Sequence, residues 1–442
     1  MSRRPLVGYL AAQAVSTTGT RVSMIAVPWF VLTTTGSATR TGLAAFAEML
    51  PMVVCQALSG PLADRLSARR VAITCDALSV LAVGAIPLLH VLGLLHFGAL
   101  LVLVALAGAL RGPGEAAKHA MMPVLVRQTD VPTERLTGLE GAVERTASLA
   151  GAGVGAGLVA TLGAANAVAV DALSFGLSAL LLLGFTRRDP GARPVEARPR
   201  LGYVAELRSG WDFMRRDQVL MGIGVMVAVT NLLDAAWSSV LLPVWARDSG
   251  HGVAAVGIVL TTFSAAAIVS STAAATIGHR LPRYWTYLIC FVIGGVPRFV
   301  VQALHVPLWL VIAVCVVGGL GSGFLNPILG AVLFERTPAE LVGRVSAMNI
   351  AMAWSLMPLG GVLGGVLVAG IGLSPALLVV GGAYFLTTML PVVQPRWREL
   401  DRRPDQAPSQ APGEVLGQTD DARTSSATKS SLANTGGGMT NG

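Results

Sequence analysis

Charge is scarce in this 442-residue chain. Charged residues make up 13% of it against 53% hydrophobic, where soluble domains carry about 25% charged residues. That is too little polar surface for a soluble enzyme of this length, and the apolar content excludes whole-chain disorder. Lysine is nearly absent: only Lys118 and Lys429 occur among the 32 basic residues. The net charge of +8 therefore rests on arginines between apolar runs, a pattern of membrane-protein loops rather than of a nucleic-acid-binding face. Cysteine is sparse too. Cys55, Cys75, Cys290 and Cys315 all sit in apolar stretches without ligand or disulfide spacing, and read as small buried hydrophobes. No Gly-Lys-Ser/Thr phosphate loop occurs, the six histidines are scattered, and Ser, His and Asp coincide by count only. Enzyme, ATPase, cofactor and metal readings are not expected, nor is a nucleic-acid partner.

What is present is a series of long apolar windows. A helix needs about 20 residues to cross the hydrocarbon core. Twelve windows qualify, at 7–32, 41–62, 71–91, 97–119, 137–160, 166–186, 218–241, 253–275, 285–304, 308–333, 345–369 and 373–393. The alternating ten-residue pattern of a membrane barrel is missing. The first window follows Arg3 and Arg4 but is too long for the apolar region of a signal peptide, so it is expected to stay as a span. With the N-terminus inside, 25 of the basic residues fall on the cytoplasmic side and two, Arg40 and Arg247, outside; Arg21, Arg111, Lys118, Arg145 and Arg298 lie within spans. The positive-inside rule thus predicts an all-α membrane protein of twelve transmembrane helices with both termini cytoplasmic, in a cell membrane.

Residues 187–217 are the longest internal polar segment and divide the spans into two bundles of six, 1–186 and 218–393. The segment begins as a Pro-rich linker. It then reads as an amphipathic helix, with Val204, Leu207, Trp211 and Met214 three or four apart. Weak internal echoes support a duplication: Pro28-Trp29 against Pro243-Val244-Trp245, and Pro132-Thr-Glu134 against Pro338-Ala-Glu340. Residues 394–442 are rich in Ser, Thr, Gly, Gln and Pro and read as a disordered cytoplasmic tail.

The sharpest motif lies between the second and third windows: Gly60-Pro-Leu62-Ala63-Asp64-Arg65-Leu-Ser-Ala-Arg69-Arg70. An aspartate beside arginines at a helix–helix turn is able to clamp a facing helix end, though an ordinary positive-inside loop has the same composition. The segment resembles the G-x-L-x-D-R-x-x-x-R-[RK] signature of the major facilitator superfamily, and the six-plus-six layout extends the resemblance over residues 1–393. More narrowly, the chain resembles the macrolide-efflux and enterobactin-exporter type, through Ser16-Thr-Thr-Gly19-Thr-Arg-Val-Ser-Met-Ile-Ala-Val-Pro28, Asp171-Ala-Leu-Ser174-Phe175, Pro123–Pro132 and Arg336–Arg344. The resemblance implies alternating access between two six-helix bundles, usually in exchange for protons. Two stretches depart from the family pattern. Ala152 stands where exporters often carry proline, leaving the small-residue face Gly151–Gly157. The echo after the eighth span, Gly278-His-Arg280-Leu-Pro-Arg283, has no aspartate, which suggests a one-sided clamp.

Ionisable residues inside spans are costly and mark function by default. Glu48, about 12 Å along the second span at 1.5 Å per residue, is a candidate proton carrier or a fixed ion pair, with Arg21 the proposed partner. Asp234, beside Asn231 and Trp237, is the acidic candidate of the second half. Arg21 lies in a polar stripe with Gln13, Ser16, Thr17, Thr18 and Thr20, which suggests a water-facing surface. Arg111, Glu115, Lys118 and His119 share a flank of the fourth span, opposite Glu140, Glu144 and Arg145 of the fifth. They read as an inner-gate salt-bridge network, while the resemblance also offers Arg111 for proton coupling. Asp76 is expected to join the clamp through Arg65 or Arg69, and Asp171 to be a cap-like partner near the outer side. Arg298 shows no acidic partner in the sequence. Among the aromatics, Trp237, Phe263 and Trp354 sit deep enough to line a substrate cavity, with Asn326 and Asn349 adding hydrogen bonds; Trp29, Phe30, Trp245 and Phe324 read as interface anchors as readily.

These readings converge on a secondary transporter, expected to be monomeric in the lipid bilayer, exporting a small-molecule drug or secondary metabolite against protons. Substrate charge stays open, because Glu48 and Asp234 favour a cation while Arg21 and Arg298 allow an anion. Proton-coupled nutrient uptake and a non-transporting membrane sensor acting through the tail remain as alternatives.

Overall fold

A computed structural model describes residues 4–59, 67–129, 131–186, 203–277, 280–338, 341–393 and 397. Residues up to Asp401 belong to one compact unit. Helices fill the expected windows. They are α1 (Arg4–Thr35), α2 (Ala38–Leu58), α3 (Ala68–Val91), α4 (Phe97–Ala120), the short α5 (Met122–Thr129), α6 (Thr133–Leu162), α7 (Ala164–Phe185), the connecting α8 (Tyr203–Arg216), α9 (Gln218–Ala236), α10 (Leu242–Asp248), α11 (Gly252–Ile277), α12 (Arg283–Gly294), α13 (Val296–Ala303), α14 (Leu308–Arg336), α15 (Val342–Ser355), α16 (Leu359–Ile371) and α17 (Leu373–Val393). Among the described residues, ten helical stretches are long and apolar enough to cross a membrane. The other two windows are α1 and α6, where Arg21 and the Glu140–Arg145 cluster interrupt the apolar run.

The outside confirms what the solvent is. Leu81, Leu180, Trp309 and Leu386 stand 65–69% exposed, an arrangement that water would penalise and lipid does not. The chain is a multi-pass membrane protein.

Three spans are broken, and prolines explain the breaks. Proline lacks the N–H that would close the turn onto residue i−4. Pro243 follows a π-helical turn, Trp237–Leu241, that links α9 to α10. Pro297 follows the Gly295 junction between α12 and α13. Pro358 follows the turn between α15 and α16. Each break lies beside a wall of the cavities described below: Ser239, Arg298, and Trp354 with Met357.

In the first half α1 packs on α6 and α7, α2 on α4, and α3 on α4 and α7. In the second half α11 and α12 pack on α14, α13 on α17, and α9 on α15 and α16. Contacts between the halves concentrate on α2 with α16 and on α6 with α11. Glycine permits both. A Cβ on Gly42 would sit 2.0 Å from the Gly361 carbonyl oxygen, and one on Gly257 would sit 2.2 Å from the Ala156 Cβ. The Gly151–Gly157 stretch serves two neighbours, Gly151 and Gly155 against Arg21 and Val22 of α1, and Ala152 and Ala156 against α11. α6 runs unbroken through this stretch.

The amphipathic segment is helical as expected. Met214 of α8 is buried with Leu220, Leu333 and Val345, while Trp211 remains exposed. Asp217 caps α9 through the Val219 and Leu220 amides and accepts from Arg336 at 2.9 Å.

Candidate functional site

Two cavities penetrate the helix packing. The first, about 480 Å³, lies among α1, α2, α4 and α6, with Ser239, Trp354 and Met357 contributed by the second half. It reaches from beside Pro28 and Ala45 to Gln56, His119 and Thr137, away from the α1–α2 turn at Gly36. Met24, Met49, Met52 and Met357 give it a soft apolar wall, and flexible thioethers adapt to ligands of varied shape. Against this wall stand the polar stripe of α1 (Gln13, Thr17, Thr20 and Arg21) and Glu48, Arg111, Glu115, His119, Glu140 and Glu144. Four carboxylates thus face two guanidiniums.

The pairing of these groups differs from expectation. Glu48 accepts from Arg111 Nη1 at 2.6 Å, with side-chain exposures of 12% and 5%, not from Arg21. Gly108 allows this, because a Cβ there would lie 2.0 Å from the Glu48 carbonyl oxygen. The close approach of α4 to α2 leaves Arg111 a carboxylate within reach. Arg21 turns instead to Glu144 at 3.3 Å and donates through Nε to Ser148. Both members of that pair are solvent-accessible, so it contributes little energy.

The inner-gate network is also rewired. Lys118 is buried and pairs with Asp76 at 3.0 Å, while donating to Ser16; Asp76 also accepts from Ser178. Asp76 therefore joins a buried polar knot among α1, α3, α4 and α7; Arg65, one of its two expected clamp partners, lies outside the described residues. His119 meets Glu140 at 2.9 Å, and Glu140 accepts from Tyr9 at 2.8 Å. Glu115, expected to bind its helical neighbours, has no ion-pair partner among the described residues. Desolvation is the reason: buried Arg111 and Lys118 need close carboxylates, and the neighbouring helices supply them better than an i±3 or i±4 residue on the same surface. Removing the ammonium alone strands a buried carboxylate. Lys118→Met is expected to lower the melting temperature, and adding Asp76→Asn to restore most of the loss; a double-mutant cycle with additive effects would contradict the pairing.

Asp171 is fully buried rather than a cap near the outer side. It accepts from Ser23 and Ser174 and interacts electrostatically with Arg111. Of the clamp signature, Gly60, Asp64 and Arg65 lie outside the described residues. Arg69 donates to the carbonyls of Leu182, Leu183 and Thr186, tying the start of α3 to the C-terminal carbonyls of α7. Arg70 contributes its backbone N–H to the Ser67 cap. In the second half, Arg283 forms a bidentate pair with Glu335.

The second cavity, about 580 Å³, lies within the second half and is lined by Asp234, Phe263, Ser271, Arg298, Ser322, Asn326 and Tyr384, with Arg145 reaching in from α6. Arg298 does have an acidic partner: its Nη2 donates to Asp234. Four rings surround its guanidinium, Trp237 at 4.7 Å, Phe299 at 4.8 Å, Tyr384 at 5.3 Å and Phe263 at 5.6 Å from the ring centroids. Trp237 is core and lines neither cavity; its Nε1 donates to Gln302. The four aromatic and amide residues expected around one substrate thus separate: Trp354 faces the first cavity, Phe263 and Asn326 the second. Trp245 and Phe30 are core as well. Tyr384, Tyr9 and the methionines were not foreseen. Nothing in linear spacing links Tyr384 to Arg298, and methionine in a span reads as lipid-facing or core.

Comparison with known proteins bears on what such cavities hold. A family model for transmembrane secretion effectors matches residues 8–423. The multidrug efflux pump Tap of Mycobacterium tuberculosis is 29% identical over 406 residues, covering 91% of this chain and 96% of the pump. Tap of Mycolicibacterium fortuitum is 28% identical over 402 residues, covering 90% and 98%. Macrolide efflux protein A of Streptococcus pyogenes is 22% identical over 380 residues, covering 84% and 91%. Among solved structures, the nucleoside transporter NupG aligns with a TM-score of 0.69 at 14% identity, over 88% of this chain and 98% of that one. At that identity the likeness establishes the fold alone.

Proposed function

Because the chain belongs to the transmembrane secretion effector family of major facilitator transporters, we propose that it exports amphipathic drugs or secondary metabolites across the cell membrane in exchange for protons. One observation carries this reading: the buried Glu48–Arg111 pair forms part of the wall of a methionine-lined cavity large enough for a drug-sized ligand. The names of the Tap and macrolide efflux relatives support the outward direction.

The chemistry follows from competition. Glu115 has no ion-pair partner among the described residues at the wall of the methionine-lined cavity, and Glu48 is shared with Arg111. A cationic amphiphile gains by neutralising such carboxylates, and so does a proton. Binding of the two is then mutually unfavourable, and reciprocal linkage makes each expel the other. Asp234, 40% exposed at the second cavity, is the corresponding carboxylate of the second half. Both termini are cytoplasmic in this reading. The halves 1–186 and 218–393 alternate by making and breaking the α2–α16 and α6–α11 contacts, the linker 187–217 joins them, and the tail 394–442 is dispensable for transport. Contacts such as Gly42–Gly361 and Ala156–Gly257 close the outer face, and the first cavity serves the cytoplasmic side.

The test uses inverted vesicles with an acid interior and a pH dye. Lipophilic cations added singly are expected to trigger proton release. Glu48→Gln and Asp234→Asn are each expected to reduce the rate about 100-fold or more, the lower end of what one positioned proton-transfer group contributes, while truncation after residue 393 leaves it intact. Proton release that persists undiminished in both variants would remove these carboxylates from the coupling.

A further inference from the structure

The two cavities carry opposite charge. In the first, four carboxylates outnumber two guanidiniums. In the second, Arg145 and Arg298 outnumber Asp234. Asp234 and Arg298 neutralise one another when paired. Arg145, exposed on α6, has no ion-pair partner among the described residues. A cation without an ion-pair partner among the described residues therefore stands at the wall of this cavity, on a helix of the membrane-spanning bundle, where an unpaired charge is costly.

Three further features point to what would satisfy it. Arg298 is 4% exposed and uses Nη2 for Asp234, while its buried Nε finds no acceptor among the described residues. The guanidinium thus retains donor capacity. Its box of four rings holds it as a cation independently of Asp234. Asn326 is exposed on the cavity wall, and its side-chain amide makes no hydrogen bond among the described residues. Arg145, Arg298 and Asn326 therefore offer donors at one cavity, and Phe263 and Tyr384 offer flat apolar surface beside them. Guanidinium and amide donors beside aromatic faces suit a planar, delocalised oxyanion on an apolar body.

We propose that the Arg145–Arg298–Asn326 cavity is a binding site for amphipathic carboxylates, distinct from the acidic methionine-lined cavity. The transporter then accepts ligands of both signs at separate places. The site is defined by binding alone and does not depend on the direction of transport or on proton exchange.

The experiment compares three probes that share one ring system: 2-naphthoate, methyl 2-naphthoate and 2-naphthylmethylammonium. Binding to the full-length protein in phosphatidylcholine nanodiscs is measured by equilibrium dialysis, with empty nanodiscs subtracted. The carboxylate is expected to bind at least about tenfold more tightly than its ester, as one charge-assisted contact implies. Arg145→Gln is expected to erase most of that preference, and Asn326→Ala part of it. Arg40→Gln, which removes the same charge from the far α2 terminus, should leave it unchanged. Equal affinity for acid and ester, or a carboxylate preference that survives Arg145→Gln, overturns the proposal. An equal loss in Arg40→Gln also overturns it, because the preference would then reflect net charge. Failure of drug-driven proton release in vesicles would refute the antiport reading and leave this binding result standing.

Discussion

Gly42→Leu is expected to stop transport while leaving a folded protein. Even the Cβ would sit 2.0 Å from the Gly361 carbonyl oxygen, with the Gly361 carbon 2.7 Å away, and both obstacles are backbone. Side-chain rearrangement cannot relieve the clash, so α2 and α16 must separate. Overpacking of this kind costs about 1–3 kcal/mol or more. The cost falls only on the state in which this face is closed; a state with the face open accommodates the leucine. The equilibrium therefore shifts toward the open face by at least about tenfold, and turnover, which needs both states, falls with it. Gly42→Ala should show a smaller loss. The checking measurement is labelling of Ser239→Cys by a membrane-impermeant thiol reagent, in a background without the four native cysteines. In Gly42→Leu, labelling from the side of the α1–α2 turn should rise and labelling from the opposite side should fall. Unchanged labelling and turnover would mean that α2 and α16 do not part at this point during the cycle.

Arg111→Leu is expected to produce the largest loss of stability of any single change in the first cavity. Arg111 is 5% and Glu48 12% exposed, and Asp171 adds a second carboxylate within electrostatic reach of the same guanidinium. Taking away one partner of a buried pair leaves an uncompensated charge, at about 3–5 kcal/mol. Adding Glu48→Gln to Arg111→Leu removes most of the stranded charge and should recover a large part of the stability, while transport stays lost. Melting temperatures in one detergent, compared across wild type, both single variants and the double, decide the matter. A double variant no more stable than Arg111→Leu would show that Arg111 is held by packing and Asp171 rather than by Glu48. Arg21→Leu is the contrast: its pair with Glu144 is solvent-accessible on both sides, and its loss should cost less than about 1 kcal/mol.

The ion pairs show where reading along the chain runs out. Spacing placed Arg111, Glu115, Lys118 and His119 on one flank of α4, and periodicity is a sound guide to which residues share a face. It is silent on what faces that flank. The depth of each charge then governs the partner. Lys118 is drawn to Asp76 of α3 and His119 to Glu140 of α6, and Glu115 is left at the cavity. Asp234 and Arg298 lie 64 positions apart, and the helix break before Pro297 precedes the arginine that meets Asp234. The proline was visible in the sequence; the direction it gave the side chain was not. The opposite charge of the two cavities follows the same logic, because Glu144 and Arg145 are neighbours in sequence yet face different spaces.

The sequence by itself determined the membrane class, the twelve windows, the family and the list of costly charges. Those properties depend on composition and local order: a helix in lipid satisfies its own backbone, so a sufficiently long apolar run is enough to specify it. Tertiary structure alone decided which charges are paired, which cavity each one lines and where the halves touch. In a bundle whose helices are apolar on most faces, rotation and contact are set by small-residue packing between distant segments, and no local period records them.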